Sequence, residues 1–276
     1  MTNTRIPQRK AKRRLSTAQI LIITLVIAAV AVGAVFAAIW FSGLRYIKKD
    51  YDDGSFIKFF GIVDDNGEPM TGRLYFSSGG TAEVNMEEGK VEYSNGDVYT
   101  GALSDMLKNG SGTITFASGD SYTGDFLNDT LTGSGEFKYA NGDVYTGAIA
   151  DGKRQGYGVY TWSDDSVYFG NFENDMLSGQ GKYVWADGSV YEGTYKENMK
   201  HGKGTYTFAN GDVYEGDFVN DMRTGEGKYT WSNGEIYEGQ FVDNRMNGWG
   251  TYTWPSGRVL QGNFEDGKFI RTEPIL

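Results

Sequence analysis

The sequence predicts an all-β chain: an elongated single-sheet array of 23-residue β-hairpin repeats, preceded by one transmembrane α-helix. Two observations predict it, a period that never slips and an uncharged run ahead of it. From residue 96 onward a glycine stands at Gly96, Gly119, Gly142, Gly188, Gly211, Gly234 and Gly257, with Asp165 in the one remaining place. Three residues later come Tyr99, Tyr122, Tyr145, Tyr168, Tyr191, Tyr214 and Tyr237, then Leu260, and two residues further a second glycine, from Gly101 to Gly262. A fixed period of this length marks a solenoid or array, in which one unit buries its apolar face only against its neighbours.

The uncharged run is Ile20 to Phe41. As a helix at ~1.5 Å per residue its 22 residues span about 33 Å, enough for a hydrocarbon core of about 30 Å. Six basic residues precede it (Arg5, Arg9, Lys10, Lys12, Arg13, Arg14) and three follow (Arg45, Lys48, Lys49). That excess predicts a cytoplasmic N-terminus, with the remainder on the other side of the membrane. Small residues around Ala29-Val30-Ala31 offer a competing signal-peptide reading, but a signal h-region is only ~7–15 residues. The expected organisation is a basic cytoplasmic segment 1–17, a membrane helix 18–44, a juxtamembrane linker 45–55, degenerate repeats 56–95, the regular array 96–267, and a C-terminal cap or tail 268–276.

Each unit reads as a hairpin. In Gly227 to Trp231, Tyr229 and Trp231 alternate with Lys228 and Thr230; in Ile236 to Phe241, Tyr237, Gly239 and Phe241 alternate with Glu238 and Gln240. A period of two marks a half-buried strand. Asn233-Gly234 between them is a hairpin-turn signal, because both residues take φ > 0 cheaply. A loop of about eight residues then leads to the next unit. Two strands per unit over nine units predict a sheet on the order of 80 Å long. Upstream, Phe59, Gly61 and Gly72 place 56–78 as a degenerate unit, and 79–95 reads as a unit shortened to 17 residues.

Aromatics recur in columns. One runs from Leu103 through Phe126, Ile149, Phe172, Tyr195, Phe218 and Phe241 to Phe264; another from Phe116 through Tyr139, Trp162, Trp185, Phe208 and Trp231 to Trp254. Gly124, Gly147, Gly170, Gly193, Gly216 and Gly239 lie on the same face, and a ring from a neighbouring strand is expected over each missing side chain. Trp162, Trp185, Trp231 and Trp254, with Tyr168, Tyr191, Tyr214 and Tyr237, are the candidate binding-face aromatics.

Tyr-Glu-Gly-Asp-Phe at 214–218, followed by Gly225-Glu-Gly227-Lys-Tyr-Thr-Trp231 and then Asn-Gly, resembles the MORN (membrane occupation and recognition nexus) repeat. The resemblance covers 96–267 strongly and 56–95 weakly. It implies an elongated array of hairpins that serves as a binding, scaffolding or dimerising module.

Composition narrows the function. With no cysteine and one histidine, Cys-ligated metal sites are excluded, and triad catalysis would have to run through His201. His201 sits where other units have Gln155 or Arg223-Thr, so it reads as a loop variant. Asp97, Asp120, Asp143 and Asp212 follow the turn and read as caps, not acid/base pairs. Asn-Asp pairs at 128–129, 174–175 and 220–221 lack the ligand density of a calcium loop. No catalytic residue, cofactor or metal is expected. Nine of the 26 basic residues lie in 1–49, which hold no acid; the other 17 face all 36 acidic residues, a balance of −19. That sign opposes nucleic acid and makes anionic lipid binding by the repeats the weakest reading. The expectation is a non-catalytic module anchored through 18–44, at the cell surface, binding a protein or itself. Cell-wall or glycan binding through the Tyr/Trp rows is the alternative.

Overall fold

The computed structural model describes residues 17–271. One helix, α1 (Thr17–Phe41), precedes a single 21-stranded sheet. Every strand pairs antiparallel with its neighbours in sequence, from β1 (Leu44–Asp50) and β2 (Phe56–Val63) to β20 (Val259–Glu265) and β21 (Lys268–Arg271). At ~4.8 Å per strand the contour is about 95 Å, longer than the sequence predicts because both ends add strands. Among the described residues the sheet has no second layer.

The expected linker is a strand. The helix ends at Phe41, Ser42 N–H closes it on the Ala38 carbonyl at 2.9 Å, and β1 begins at Leu44. β1 pairs with β2 in unbroken register from Leu44↔Ile62 to Asp50↔Phe56. The cause is the fully buried Phe59, whose strand would otherwise be an open edge; Ile47 pairs opposite it and covers it. Segment 18–44 is therefore helix only to Phe41, and of 45–55 only the end beyond Asp50 is turn. The degenerate units are real hairpins, β2 with β3 (Pro69–Phe76) and β4 (Thr81–Asn85) with β5 (Lys90–Tyr93). At the far end β21 pairs with β20, and Phe269 packs edge-on to Phe264 at 5.5 Å. Residues 1–16 and 272–276, parts of the basic segment and of the tail, lie outside the described residues.

The two turns of each unit exchange roles relative to the sequence reading. The Asn-Gly turn is not a two-residue turn with both φ positive. In the 231–235 turn only Gly234 is left-handed (φ 86°); its N–H donates to the Trp231 carbonyl at 2.9 Å and Trp231 N–H donates to the Glu235 carbonyl at 2.9 Å. This is a type I turn closed by a left-handed residue, the three-residue hairpin loop. Asp165 takes the same conformation at φ 69°, which is how it stands in for glycine. The segment read as an eight-residue loop is instead two strand ends and a two-residue turn. Between β16 (Val213–Val219) and β17 (Met222–Thr230), Asn220 and Asp221 have φ 48° and 68°, the geometry of a type I′ turn.

Glycines pair directly across the sheet, one per strand. Gly181↔Gly193, Gly193↔Gly204 and Gly204↔Gly216 are links in a ladder that runs from Gly101 to Gly262. Beside it the strands bulge. Gly193 faces Gly204 but Thr194 faces His201, so Gly202 (φ 64°) and Lys203 are extra residues on β15 (Met199–Thr207). The bulge bends each turn arm over the aromatic face. That bend lets a one-layer sheet bury side chains completely.

Candidate functional site

The sheet has two faces, and the sequence-derived candidates all lie on one of them. Tyr168, Tyr191, Tyr214 and Tyr237 are 0% exposed. They are the core of the array and present nothing to a partner. Each ring lies over two glycines: an added Cβ at Gly193 would sit 2.5 Å from the Tyr191 Oη, and one at Gly204 would sit 2.6 Å from the Tyr191 Cζ. The ring over Gly193 thus comes from its own strand, and the ring over Gly204 from the neighbouring one. The expectation of a neighbouring ring is corrected for Gly124, Gly147, Gly170, Gly193, Gly216 and Gly239, which all lie beneath the tyrosine two residues earlier. The hydroxyl escapes to backbone, as where Tyr191 donates to the Thr194 carbonyl at 3.1 Å.

The Phe column meets these tyrosines edge-on. Tyr191 lies 5.2 Å from Tyr195 at 87° and 5.1 Å from Phe218 at 83°, so each Tyr joins its own unit to the next. Such pairs contribute about 0.5–1.5 kcal/mol each beyond area burial. Trp162, Trp185, Trp231 and Trp254 are half-buried. They interleave with Tyr183, Tyr206, Tyr229 and Tyr252 in one continuous stack, as in Trp162–Tyr183 at 4.7 Å and Tyr183–Trp185 at 4.3 Å. Their ring faces are largely used by one another.

Cations on the turn arms complete the cover, a feature that sequence reading missed. The Arg154 guanidinium lies 5.1 Å from the Tyr160 ring, Lys200 Nζ 5.5 Å from Trp185, and Arg223 5.3 Å from Tyr229. Each also reaches one unit onward: Arg154 pairs with Asp175 at 3.1 Å, Lys200 with Asp221 at 3.1 Å, and Arg223 donates to the Asn244 carbonyl at 2.8 Å. The signal was the recurrence of Lys or Arg as the second residue after the two-residue turn, at Arg154, Lys200 and Arg223.

Both edges are stapled between units. On one edge Asp97, Asp120, Asp143 and Asp212 accept from the backbone N–H of Ala117, Ala140, Ser163 and Ser232, at 2.9, 2.7, 2.8 and 2.8 Å. Ser166 and Ser189 do the same for Ala186 and Ala209. These are caps, as expected, but of the following unit's turn. Burial pushes the Asp143 and Asp212 carboxyls up, but hydrogen bonds outweigh it and hold both below the usual range, from Tyr160 and Ser163 onto Asp143 and from Ser232 and Tyr229 onto Asp212. On the other edge Asp129, Asp175 and Asp221 accept from the N–H of Lys108, Arg154 and Lys200 in the preceding unit. That is the work of the Asn-Asp pairs.

The outer face is polar. A groove of about 620 Å³ runs beside the glycine ladder and is lined by Lys203, Glu215, Glu226, Lys228, Glu238 and Trp249 among others. Exposed aromatics interrupt this face at Tyr157 and Phe169, the former at the middle of a Gly-x-Gly. His201 lies on β15, paired across from Thr194, with its Nδ1 buried and without a partner, so the position read as loop is a strand position. Among the described residues no group of three or more His, Asp or Glu is placed to hold a metal.

Seven consecutive segments match the MORN repeat: 99–121, 122–144, 145–167, 168–190, 191–213, 214–236 and 237–257. The chain belongs to the MORN-repeat family. Each MORN unit begins at the buried tyrosine, and the first six end just before the next one, so each of the seven contains one complete tyrosine-over-two-glycines packing unit. No curated protein matches the chain in sequence. Among solved structures it is similar to the Drosophila melanogaster SAS-4 TCP domain in complex with a proline-rich motif of Ana2 (14% identity, TM-score 0.37, covering 56% of this chain and 84% of that one). It is also similar to a catalytically inactive virginiamycin B lyase from Staphylococcus aureus with quinupristin (11% identity, TM-score 0.15, covering 79% and 84%) and to a streptogramin B lyase (12%, 0.15, 81% and 84%). Likenesses this low bear on neither fold detail nor function.

Proposed function

We propose that this MORN array is a membrane-tethered, non-catalytic binding or scaffolding module held outside the cytoplasm. The observation that carries the reading is continuity: a helix long and apolar enough to cross a bilayer passes within three residues into the first strand of the sheet. The six-to-three excess of basic residues before the span supports an N-terminus inside. A one-layer array with open, wet grooves suits a long contact surface, which repeat geometry supplies on its own. Glycan binding through the Trp row is the weaker reading, because the stacked indoles leave little free face for a sugar.

The test is photocrosslinking in intact membranes from single cysteines at Tyr157 and Trp249, each carrying a benzophenone. Discrete protein adducts, lost when the adjacent outer-face residues Lys182, Lys203 and Lys228 are reversed in charge, support the reading. Adducts at neither position, with a glycan label captured at Trp185→Cys instead, overturn it.

A further inference from the structure

The outer face changes character at its membrane end. At the position directly after each buried column residue the repeats carry Thr100, Thr123, Thr146, Phe169, Glu192, Glu215 and Glu238. In β2 that position is Phe60, 47% exposed. It pairs with Tyr46, 63% exposed, while Ile62, 44% exposed, pairs with Leu44, and Lys58 pairs with Tyr75, 42% exposed. These residues form one contiguous apolar and aromatic patch on the outer side of β1, β2 and β3. Among the described residues outside α1, no other part of the sheet exposes four such side chains on adjoining strands.

Cations border it. Lys48 and Lys58 face each other across β1 and β2, both over the Phe56 ring, at 5.0 and 4.9 Å. Lys48 is paired with Asp50 and the adjoining Arg73 with Glu83, whereas Lys58 has no carboxylate partner among the described residues. Like charges directly opposite in a sheet are unfavourable unless something negative sits between or above them.

Position supplies the occupant. At most about 18 Å of chain separates Phe41 from Tyr46. Arg45 of β1 stacks on Trp40 at the end of α1, at 4.8 Å. Aromatic side chains beside Lys and Arg are the composition of the membrane–water interface. The seven MORN repeats carry nothing comparable, and their acidic balance would keep them off the bilayer.

Given that α1 spans the membrane, we propose that the outer face of β1–β3 rests on the bilayer surface, with Tyr46, Phe60, Ile62 and Tyr75 in the carbonyl zone and Lys58 against lipid phosphate. The first hairpin is then a foot that fixes the tilt of the array, not a free neck.

The test uses the full chain in unilamellar phosphatidylcholine vesicles, with and without phosphatidylserine. The chain has no cysteine, so single nitroxides go at Phe60→Cys, Tyr75→Cys, Tyr157→Cys and Val30→Cys. Tyr75→Cys reads the patch with Phe60 intact. The expected result is that the oxygen-to-nickel accessibility ratio at positions 60 and 75 exceeds that at 157 by about tenfold, with position 30 higher still. Values at 60 and 75 equal to 157, with 30 buried in lipid, overturn the foot and leave the anchor standing. A water-accessible position 30 overturns the anchor and the foot together. Spin–spin broadening at 60 that disappears on dilution with unlabelled protein assigns the patch to a second copy, and also overturns the proposal.

Discussion

Substituting Gly227 by alanine tests the packing unit that defines the array. An added Cβ would lie 2.6 Å from Cε2 and Oη of Tyr214 and 2.8 Å from its Cζ. Ordinary carbon contacts need about 3.5–4.0 Å, so the ring must move by about 1 Å. It has no room. Tyr214 is 0% exposed, held edge-on by Phe218 at 5.2 Å and Phe241 at 5.0 Å, and its hydroxyl donates to the Asp217 carbonyl at 3.1 Å. Overpacking costs about 1–3 kcal/mol and the strained hydrogen bond about 1 more, a total of roughly 2–4 kcal/mol. Because repeats interact mainly with their neighbours, the lesion stays local. Amide exchange in β16 and β17 should speed up by roughly thirty- to thousandfold, while strands several units away keep their protection. All three atoms nearest the added Cβ belong to Tyr214, so in a Tyr214→Leu background the same substitution should cost under about 1 kcal/mol. An equal cost with and without the ring would refute the packing argument. Gly193→Val should be worse than Gly227→Ala, because the added Cβ also lies 2.7 Å from the backbone Cα of Gly204.

Three further outcomes follow from the same contacts. Asp143 and Asp212 are held below the ordinary carboxylate range when folded, so their contribution is present above about pH 4 and is lost as pH falls through the folded values. Tm should therefore drop on the acid side, and Asp143→Ser with Asp212→Ser, copying Ser166 and Ser189, should flatten that limb. Burial pushes Tyr99, Tyr145, Tyr191 and Tyr237 up to about 12, so their contribution is complete below about pH 10 and disappears between pH 10 and 12. A steep alkaline transition in Tm is expected, and a flat profile to pH 12 would contradict the buried column. Deleting residues 1–42 should leave a soluble fragment with a β-rich circular dichroism spectrum, whereas deleting 1–55 removes β1, bares the β2 edge and should aggregate.

The repeat, its period and its hairpins were legible because every unit states the same pattern, so local ambiguity averages out over many copies. The core face was legible from alternation alone, in Tyr237-x-Gly239-x-Phe241 as in its equivalents. What alternation does not reveal is curvature. It places Tyr214 and Trp231 on one face without telling which is sealed, and the bulges after the glycine ladder decide that by folding Arg223 and its equivalents over the tyrosines. The Asn-Gly signal pointed to the right place but the wrong turn, because the left-handed residue needed there is single. The true two-residue turns were hidden in Asn-Asp pairs, whose side chains reach the previous unit, a partner about twenty residues away that local reading does not consider. β1 escaped because its pattern is short and mixed, and it is a strand chiefly because β2 needs an edge.

The measurement that tests the central reading most directly is the side of the membrane on which the array stands. Ser232 is exposed on a turn, and with no other cysteine in the chain a Ser232→Cys variant reports from one place. Intact cells would be treated with a membrane-impermeant maleimide. The account predicts full labelling before lysis, equal to that after it. Labelling only after lysis would contradict it, placing the array in the cytoplasm against the charge bias around α1.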